Sequence, residues 1–411
     1  MTRHLARRLV VLLVVLLALG VLAAPPALAH GERSQEAFLR MRTIGWLDTE
    51  FSNTTIRQGE SFTITGTAKL MEQWPDTLAA GEPKIGSIGV ISPGPVVVLK
   101  ERTVNGVSAP GRIEIARGKY YDYSLTLVGR RVGRWHVHPS FAVKGAGTVL
   151  GPGQWVTVNE NPDGFRNEAT LYNGDTVNLE NYGLPQVWGW QILTFLVGMA
   201  WMLYWTVPKF HRTVTNLAVT SQIPLNDDGV EVGLNSKRDH RVVNYFVLLC
   251  IVLLAAAWIW QASAFPVKMP QQVVQFTPPE PATAPANTVT TKPAKATFDP
   301  NANRLTIEVE ATNNGESPVQ VAEFVTSTLA FQNPAVAAGQ VERELQVQPA
   351  EAIEPGQTRQ LTISVVENVF QGEKLIPVGE ANLSLAGMLI FKDAQQQESA
   401  AELDAAIRPI F

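Results

Sequence analysis

Three histidines of this chain have the types and spacing needed to bind a metal ion. His136 and His138 flank Val137 in a segment that alternates like a β-strand, so both imidazoles should project from one face. His30 directly follows Ala27-Leu28-Ala29, an Ala-x-Ala cleavage sequence, and becomes residue one if a leader peptide is removed there. It would then offer an α-amine as well as its imidazole. The three residues predict a site of three imidazoles and one amine.

Nitrogen donors of this kind suit copper(II), which favours tetragonal nitrogen coordination. Zinc could use the same ligands. We prefer copper because the amine and imidazole of one residue form a chelate that matches tetragonal geometry. The single cysteine, Cys250, lies in an apolar run, so neither a disulfide within the chain nor a thiolate site is available. The alternative interpretation is that His136 and His138 are ordinary surface histidines and that His30 merely follows the cleavage site.

The rest of the composition narrows the possible functions. The net charge of -4 gives no broad cationic surface, so nucleic acid is not expected as a partner. No nucleophile elbow, P-loop or dinucleotide fingerprint appears in the sequence. The other three histidines are not candidates, because His4 lies in the leader peptide and His211 and His240 lie between two apolar runs. Hydrolase and nucleotide chemistry are therefore not expected.

Long apolar runs predict how the chain meets a membrane. Residues 1–29 combine arginines with a short apolar run and have the features of a secretory signal peptide. Residues 188–208 and 242–265 are long and apolar enough to be transmembrane helices. Basic residues crowd the ends of both helices that face the loop at 209–241, which places this loop in the cytoplasm. The flanking regions should then lie on the extracytoplasmic side of the cell membrane.

Two regions outside the helices have the pattern of β domains. Residues 30–187 contain alternating segments such as 61–65 and 121–127, separated by Gly, Pro and Asn turns. A proline-rich linker at 266–296 precedes a second such region at 297–411. The predicted fold class is therefore mainly β with transmembrane helices, in which two exported β-barrel domains are joined by a two-helix transmembrane hairpin.

Several stretches of the sequence are motifs of one known family. The longest begins at His30 and reads HGERSQEAFLRMRT. The others are Gln73-Trp74-Pro75, Pro93-Gly94-Pro95-Val96, Trp135-His136-Val137-His138, Gly151-Pro152-Gly153-Gln154-Trp155 and Leu179-Glu180-Asn181-Tyr182. With the two-helix layout, these stretches resemble the B subunit of particulate methane monooxygenase, ammonia monooxygenase and related copper hydrocarbon monooxygenases. The resemblance covers essentially the whole mature chain, and the longest stretch is similar to the mature N-terminus of that family.

The resemblance implies that both exported domains are cupredoxin-like and that the chain assembles with the A and C membrane subunits in a trimer of three-subunit protomers. The family's copper site carries over onto His30, His136 and His138. A second, variable copper position of the family falls here on Gly45 and Lys69. Glycine has no side chain and a protonated lysine does not bind copper, so we expect this second site to be absent.

The leading hypothesis is a copper-binding component of a membrane monooxygenase that oxidises methane, ammonia or a short-chain alkane with O2. Catalysis could occur at copper sites in the partner subunits, so no catalytic residue is assigned in this chain. One alternative is a non-catalytic component that stores or delivers copper or stabilises the complex. The other is an independent membrane-anchored copper carrier. Co-purification with partner subunits and the activity of ligand variants would distinguish these possibilities.

Overall fold

The computed structural model describes residues 37–75, 84–171, 173–206, 237–265, 276–281, 285–337, 339–380 and 383–411. The predicted signal peptide at 1–29, His30 and most of the predicted loop at 209–241 lie outside the described residues. The predicted fold class is confirmed, because the chain is mainly β-strand and carries two long apolar helices between two β domains.

The N-terminal β domain begins with a short helix, α1 (Ala37–Arg42), and is otherwise built of strands. The strands are β1 (Ile44–Phe51), β2 (Thr55–Arg57), β3 (Ser61–Leu70), β4 (Ile85–Ile91), β5 (Val97–Val104), β6 (Val107–Ser108), β7 (Ile113–Glu114), β8 (Tyr120–Gly129), β9 (Gly133–Val143), β10 (Gly147–Leu150) and β11 (Gln154–Asn159). The predicted segments 61–65 and 121–127 lie within β3 and β8.

These strands form two sheets, with orders β1-β3-β8-β5-β6 and β2-β11-β9-β4-β7, and β10 pairs with β9 off the second path. Alternate residues of β8 are buried, as expected for a strand with one face on the core. The core contains Phe62, Ile64, Leu125, Leu127 and Phe141, each at most 2% exposed. Strand β9, which carries His136 and His138, therefore has a neighbour on each side in a packed sheet.

Residues 165–272 form a separate compact unit. It contains β12 (Glu168–Thr170), β13 (Thr176–Asn178), and helices α2 (Leu184–Thr206) and α3 (Lys237–Ala264). Helix α2 begins at Leu184, four residues before the predicted start at residue 188. Pro185 is compatible with this start, because a nitrogen in the first turn of a helix has no hydrogen-bond partner within the helix.

The two helices run antiparallel. Trp201 stacks on Phe246 with ring centroids 4.1 Å apart, and the Tyr204 hydroxyl donates to Asp239 Oδ1 over 2.6 Å. Two spans, Leu184–Trp205 and Arg238–Ala264, are long and apolar enough to cross a membrane.

The elements of the C-terminal β domain are β14 (Val289–Thr291), β15 (Ala294–Asp299), β16 (Arg304–Asn313), β17 (Gln320–Thr326), β18 (Leu329–Gln332), β19 (Leu345–Gln348), β20 (Thr358–Val366), α4 (Val369–Gly372), β21 (Ser384–Lys392) and β22 (Glu398–Pro409). The strands form one nine-stranded sheet of order β18-β17-β21-β22-β15-β16-β20-β19, with β14 paired to β16. An isolated bridge between Gln332 and Glu344 brings the two ends of this order together, as in a barrel.

The two β domains pack against each other within one compact unit. Leu47 and Met71 from the first domain join Val325, Met388 and Ile390 from the second in a buried apolar cluster. Other contacts across this interface are the buried Met41 in the C-terminal core and the ion pair between Arg40 and Glu373, at 2.7 Å. Part of the proline-rich linker is also fastened to the first domain, because Phe276 packs on its core.

Candidate metal centre

The two described histidines of the predicted site lie together on β9. Their ring centroids are 4.3 Å apart, and His138 Nε2 is 2.8 Å from His136 Nδ1. His138 is only 5% exposed, whereas His136 is half-buried. The period of two in the sequence therefore does bring both imidazoles to one place on the sheet.

A backbone carbonyl fixes the tautomer of the neutral His138 ring. Its Nδ1 lies 2.9 Å from the carbonyl oxygen of Gly151, which can only accept a hydrogen bond. Nδ1 must therefore carry the proton, and in the neutral ring Nε2 keeps its lone pair. That lone pair accepts the hydrogen bond that His136 Nδ1–H donates over 2.8 Å, and a metal ion that displaced this proton could use both nitrogens.

The 2.8 Å separation of the two nitrogens is that of a hydrogen bond between the rings. A metal ion would replace this shared proton, after which both nitrogens could act as ligands. Among the described residues no group of three or more His, Cys, Asp or Glu side chains could hold a metal, so further ligands must come from elsewhere.

Neighbouring strands cover the pair. Trp155 on β11 is the direct strand partner of His136, and their rings lie 5.0 Å apart. The Arg134 guanidinium lies over the Trp155 ring, 4.9 Å from its centroid. On the opposite side, Ile91 of β4 pairs with His138. In the sequence, Trp155 and Gly151 stood out only as parts of a motif, and the position of Gly151 between two alternating segments was the available signal.

Gly45 and Lys69, named in the expectation of a missing second site, lie directly opposite each other on β1 and β3. Lys69 is 7% exposed and forms an ion pair with Glu402 of the C-terminal β domain, at 3.2 Å. The space that a side chain would take at Gly45 is filled by the methyl ends of Met71 and Met388. This position therefore holds an ammonium group bound to a carboxylate, beside two thioether side chains.

A cluster of carboxylates between the two β domains was not foreseen from the sequence. Asp48, Glu323 and Glu398 line a cavity of about 390 Å³, together with Glu50 and Asp122. Burial, with the charges of Asp48 and Glu398, raises the pKa of Glu323 to about 7, although Lys392 acts in the opposite direction. Burial and the same kind of repulsion also raise the pKa of Asp48. These residues come from strands far apart in the chain, so no local motif marks them.

This cluster predicts that Glu323→Gln stabilises the protein at alkaline pH. Folding raises the pKa of Glu323, so the native state holds this proton more tightly than the unfolded chain does. The stability linked to the proton is complete below the ordinary carboxyl pKa and is lost as the pH rises through about 7. The variant should gain about 1–2 kcal/mol at pH 8 and little at pH 5, after allowance for partial exposure. Thermal unfolding at both pH values measures this. Exposed Glu316→Gln is the control, and an equal effect of both variants would contradict the expectation.

Comparison with known proteins gives one family over nearly the whole chain. A family model for the B subunit protein of monooxygenases matches residues 31–411. The particulate methane monooxygenase alpha subunit of Methylococcus capsulatus strain Bath is 32% identical over 397 residues, which is 94% of each protein. Among solved structures, the cupredoxin domain of amoB from Nitrosocaldus yellowstonii matches 30% of this chain and 92% of its own length, at 17% identity and a TM-score of 0.25.

Proposed function

Because the chain belongs to the family of monooxygenase B subunits, we propose that it is the copper-binding component of a membrane monooxygenase. The complex would insert one oxygen atom of O2 into methane, ammonia or a short-chain alkane. The observation that carries the copper assignment is the pair of nitrogens, His138 Nε2 and His136 Nδ1, held 2.8 Å apart on one face of β9. The partners of this chain would be the A and C membrane subunits, in a trimer of three-subunit protomers.

His30 would complete the copper site with its imidazole and its α-amine. Helix α1 begins at Ala37 and contacts β10, the strand that ends one residue before Gly151. Gly151 in turn accepts the hydrogen bond from His138. The seven residues before Ala37 can span up to about 24 Å, a length that would allow His30 to reach the histidine pair.

Bound copper would supply a Cu(I)/Cu(II) couple and an affinity for O2. The chain itself does three things at this site. His136 and His138 offer nitrogen donors, the Gly151 carbonyl holds the His138 ring through Nδ1, and Trp155 covers one side of His136. The second copper position of the family would stay empty in this chain, since Lys69 is engaged with Glu402 and Gly45 offers no side chain.

We also propose that both β domains lie on the extracytoplasmic side. The signal peptide at 1–29 would export the N-terminal β domain, and the basic residues around the loop at 209–241 favour a cytoplasmic loop. The exposed faces of α2 and α3 carry large apolar side chains such as Phe195, Met202 and Trp258, each more than 60% exposed. Lipid and the helices of partner subunits would cover these faces.

The mature chain should begin at His30, because the amine can bind copper only after cleavage behind Ala29. Intact-mass analysis of the chain purified from membranes in mild detergent measures this directly. The same preparation should contain two further membrane subunits and should oxidise one of the three substrates. A mature start at another residue would remove the amine ligand from the site. Purification of the chain alone would favour an independent copper carrier.

A further inference from the structure

We propose that the segment Gly151-Pro152-Gly153 positions the copper ligand His138. Gly153 lies against the imidazole ring, and the Gly151 carbonyl accepts the hydrogen bond from its Nδ1. This inference rests on the proposed copper site. It assigns a positioning role to residues that do not themselves contact the metal ion. Each step depends on contacts between described residues of the N-terminal β domain.

The backbone of Gly151 is held on both sides. Its N–H donates to the carbonyl of Pro139, the residue after His138, over 2.8 Å, while its own carbonyl accepts from His138 Nδ1 over 2.9 Å. A Cβ at this position would lie 2.8 Å from the Pro139 ring and 2.9 Å from Trp46, which is only 3% exposed. Gly151 can therefore approach β9 this closely only because it has no side chain.

Gly153 lies against the imidazole itself. A Cβ at this position would be 2.3 Å from both Cε1 and Nδ1 of His138 and 2.7 Å from its Nε2. Separations this short cannot occur between non-bonded atoms, so the ring would have to turn or the loop would have to move. His138 is 5% exposed and packed on its other sides, so little space is left for either change.

The consequence for metal binding concerns both the direction and the tautomer of the ligand. The hydrogen bond to Gly151 keeps the proton on Nδ1 and leaves Nε2 for the metal, and the contact with Gly153 keeps Nε2 aimed toward His136. Partners that orient a metal-bound histidine in this way commonly change metal affinity by about 10- to 100-fold when they are altered. Turning the ring breaks both relations together.

The test substitutes Gly153→Ala in the full chain, purified in detergent, and measures copper(II) affinity and the EPR spectrum. The expected result is an affinity weaker by about 10- to 100-fold with an altered spectrum. Gly89→Ala is the matched control, because it adds a methyl group on neighbouring β4 at an ordinary distance of 3.8 Å from Ser140 Oγ. Wild-type affinity and spectrum in Gly153→Ala would overturn the proposal.

A double-mutant cycle of thermal stability, measured without metal, keeps the test decisive even if Gly153→Ala folds poorly. His138→Ala removes the ring that the new methyl group would strike, so Gly153→Ala should lower the Tm by several degrees in the wild-type background and hardly at all in His138→Ala. An equal loss in both backgrounds would refute the contact. If wild-type chain and His136→Ala/His138→Ala bind copper equally, the proposed copper site fails, while this cycle still judges the role of Gly153.

Discussion

Replacing His136 and His138 together by alanine should abolish copper binding while the β domains stay folded. The two nitrogens that face each other across 2.8 Å are the described donors at this place, and neither the terminal amine nor a single further imidazole forms a tetragonal site alone. The fold should persist because the apolar core on the other face of β9, which includes Val137 and Phe141, is unchanged. Metal analysis after exposure to one equivalent of copper, with EPR, measures the loss.

The cost to stability of this double variant should be modest. Loss of the His138 ring leaves the Gly151 carbonyl without that hydrogen bond, which costs about 1–3 kcal/mol. His240→Ala is the control, since this histidine is exposed on α3 and should leave copper content unchanged. Full copper retention in His136→Ala/His138→Ala, with an unchanged EPR spectrum, would contradict the assignment.

The largest effect on stability should come from Glu402→Gln. Glu402 pairs with Lys69 at 3.2 Å and also accepts the backbone N–H groups of Glu72 and Gln73, at 3.0 and 3.2 Å. The Lys69 and Glu402 side chains are 9% and 15% exposed, so the variant leaves a buried ammonium without its countercharge. We expect a loss of about 3–5 kcal/mol, measured by chemical unfolding of the full chain in detergent.

Two further variants test the cause of that loss. Glu280→Gln breaks the ion pair with Lys119. The side chain of Lys119 is 52% exposed and that of Glu280 is 77% exposed, so the loss of this pair should cost less than about 1 kcal/mol. Lys69→Met combined with Glu402→Gln removes both charges and should recover much of the stability. If Glu402→Gln unfolded no more easily than Glu280→Gln, the ion pair would not be holding the two β domains together.

The strands and the histidine pair could be predicted from the sequence for one physical reason. Alternation places every second side chain on one face, so the segments inside β3 and β8 and the pairing of His136 with His138 follow from local pattern alone. The two long apolar helices follow from length and composition. In each case the relevant residues are neighbours along the chain.

Features built from distant residues could not be predicted in this way. The carbonyl of Gly151 reaches His138 because β10 folds back along β9, and this hydrogen bond joins residues 13 positions apart. Asp48 and Glu323 meet only because β1 and β17 lie at the interface of the two β domains. The ion pair between Glu402 and Lys69 forms at the same interface, which composition and periodicity do not predict.

X-ray absorption on the full chain loaded with one copper ion tests directly whether the histidine pair binds copper. We expect nitrogen neighbours at about 2.0 Å, with the outer-shell scattering of imidazole rings. No copper is expected at the position of Gly45 and Lys69, because Lys69 is engaged with Glu402 and Gly45 has no side chain. A first shell without imidazole scattering, or a spectrum unchanged in His136→Ala/His138→Ala, would contradict copper binding at this site.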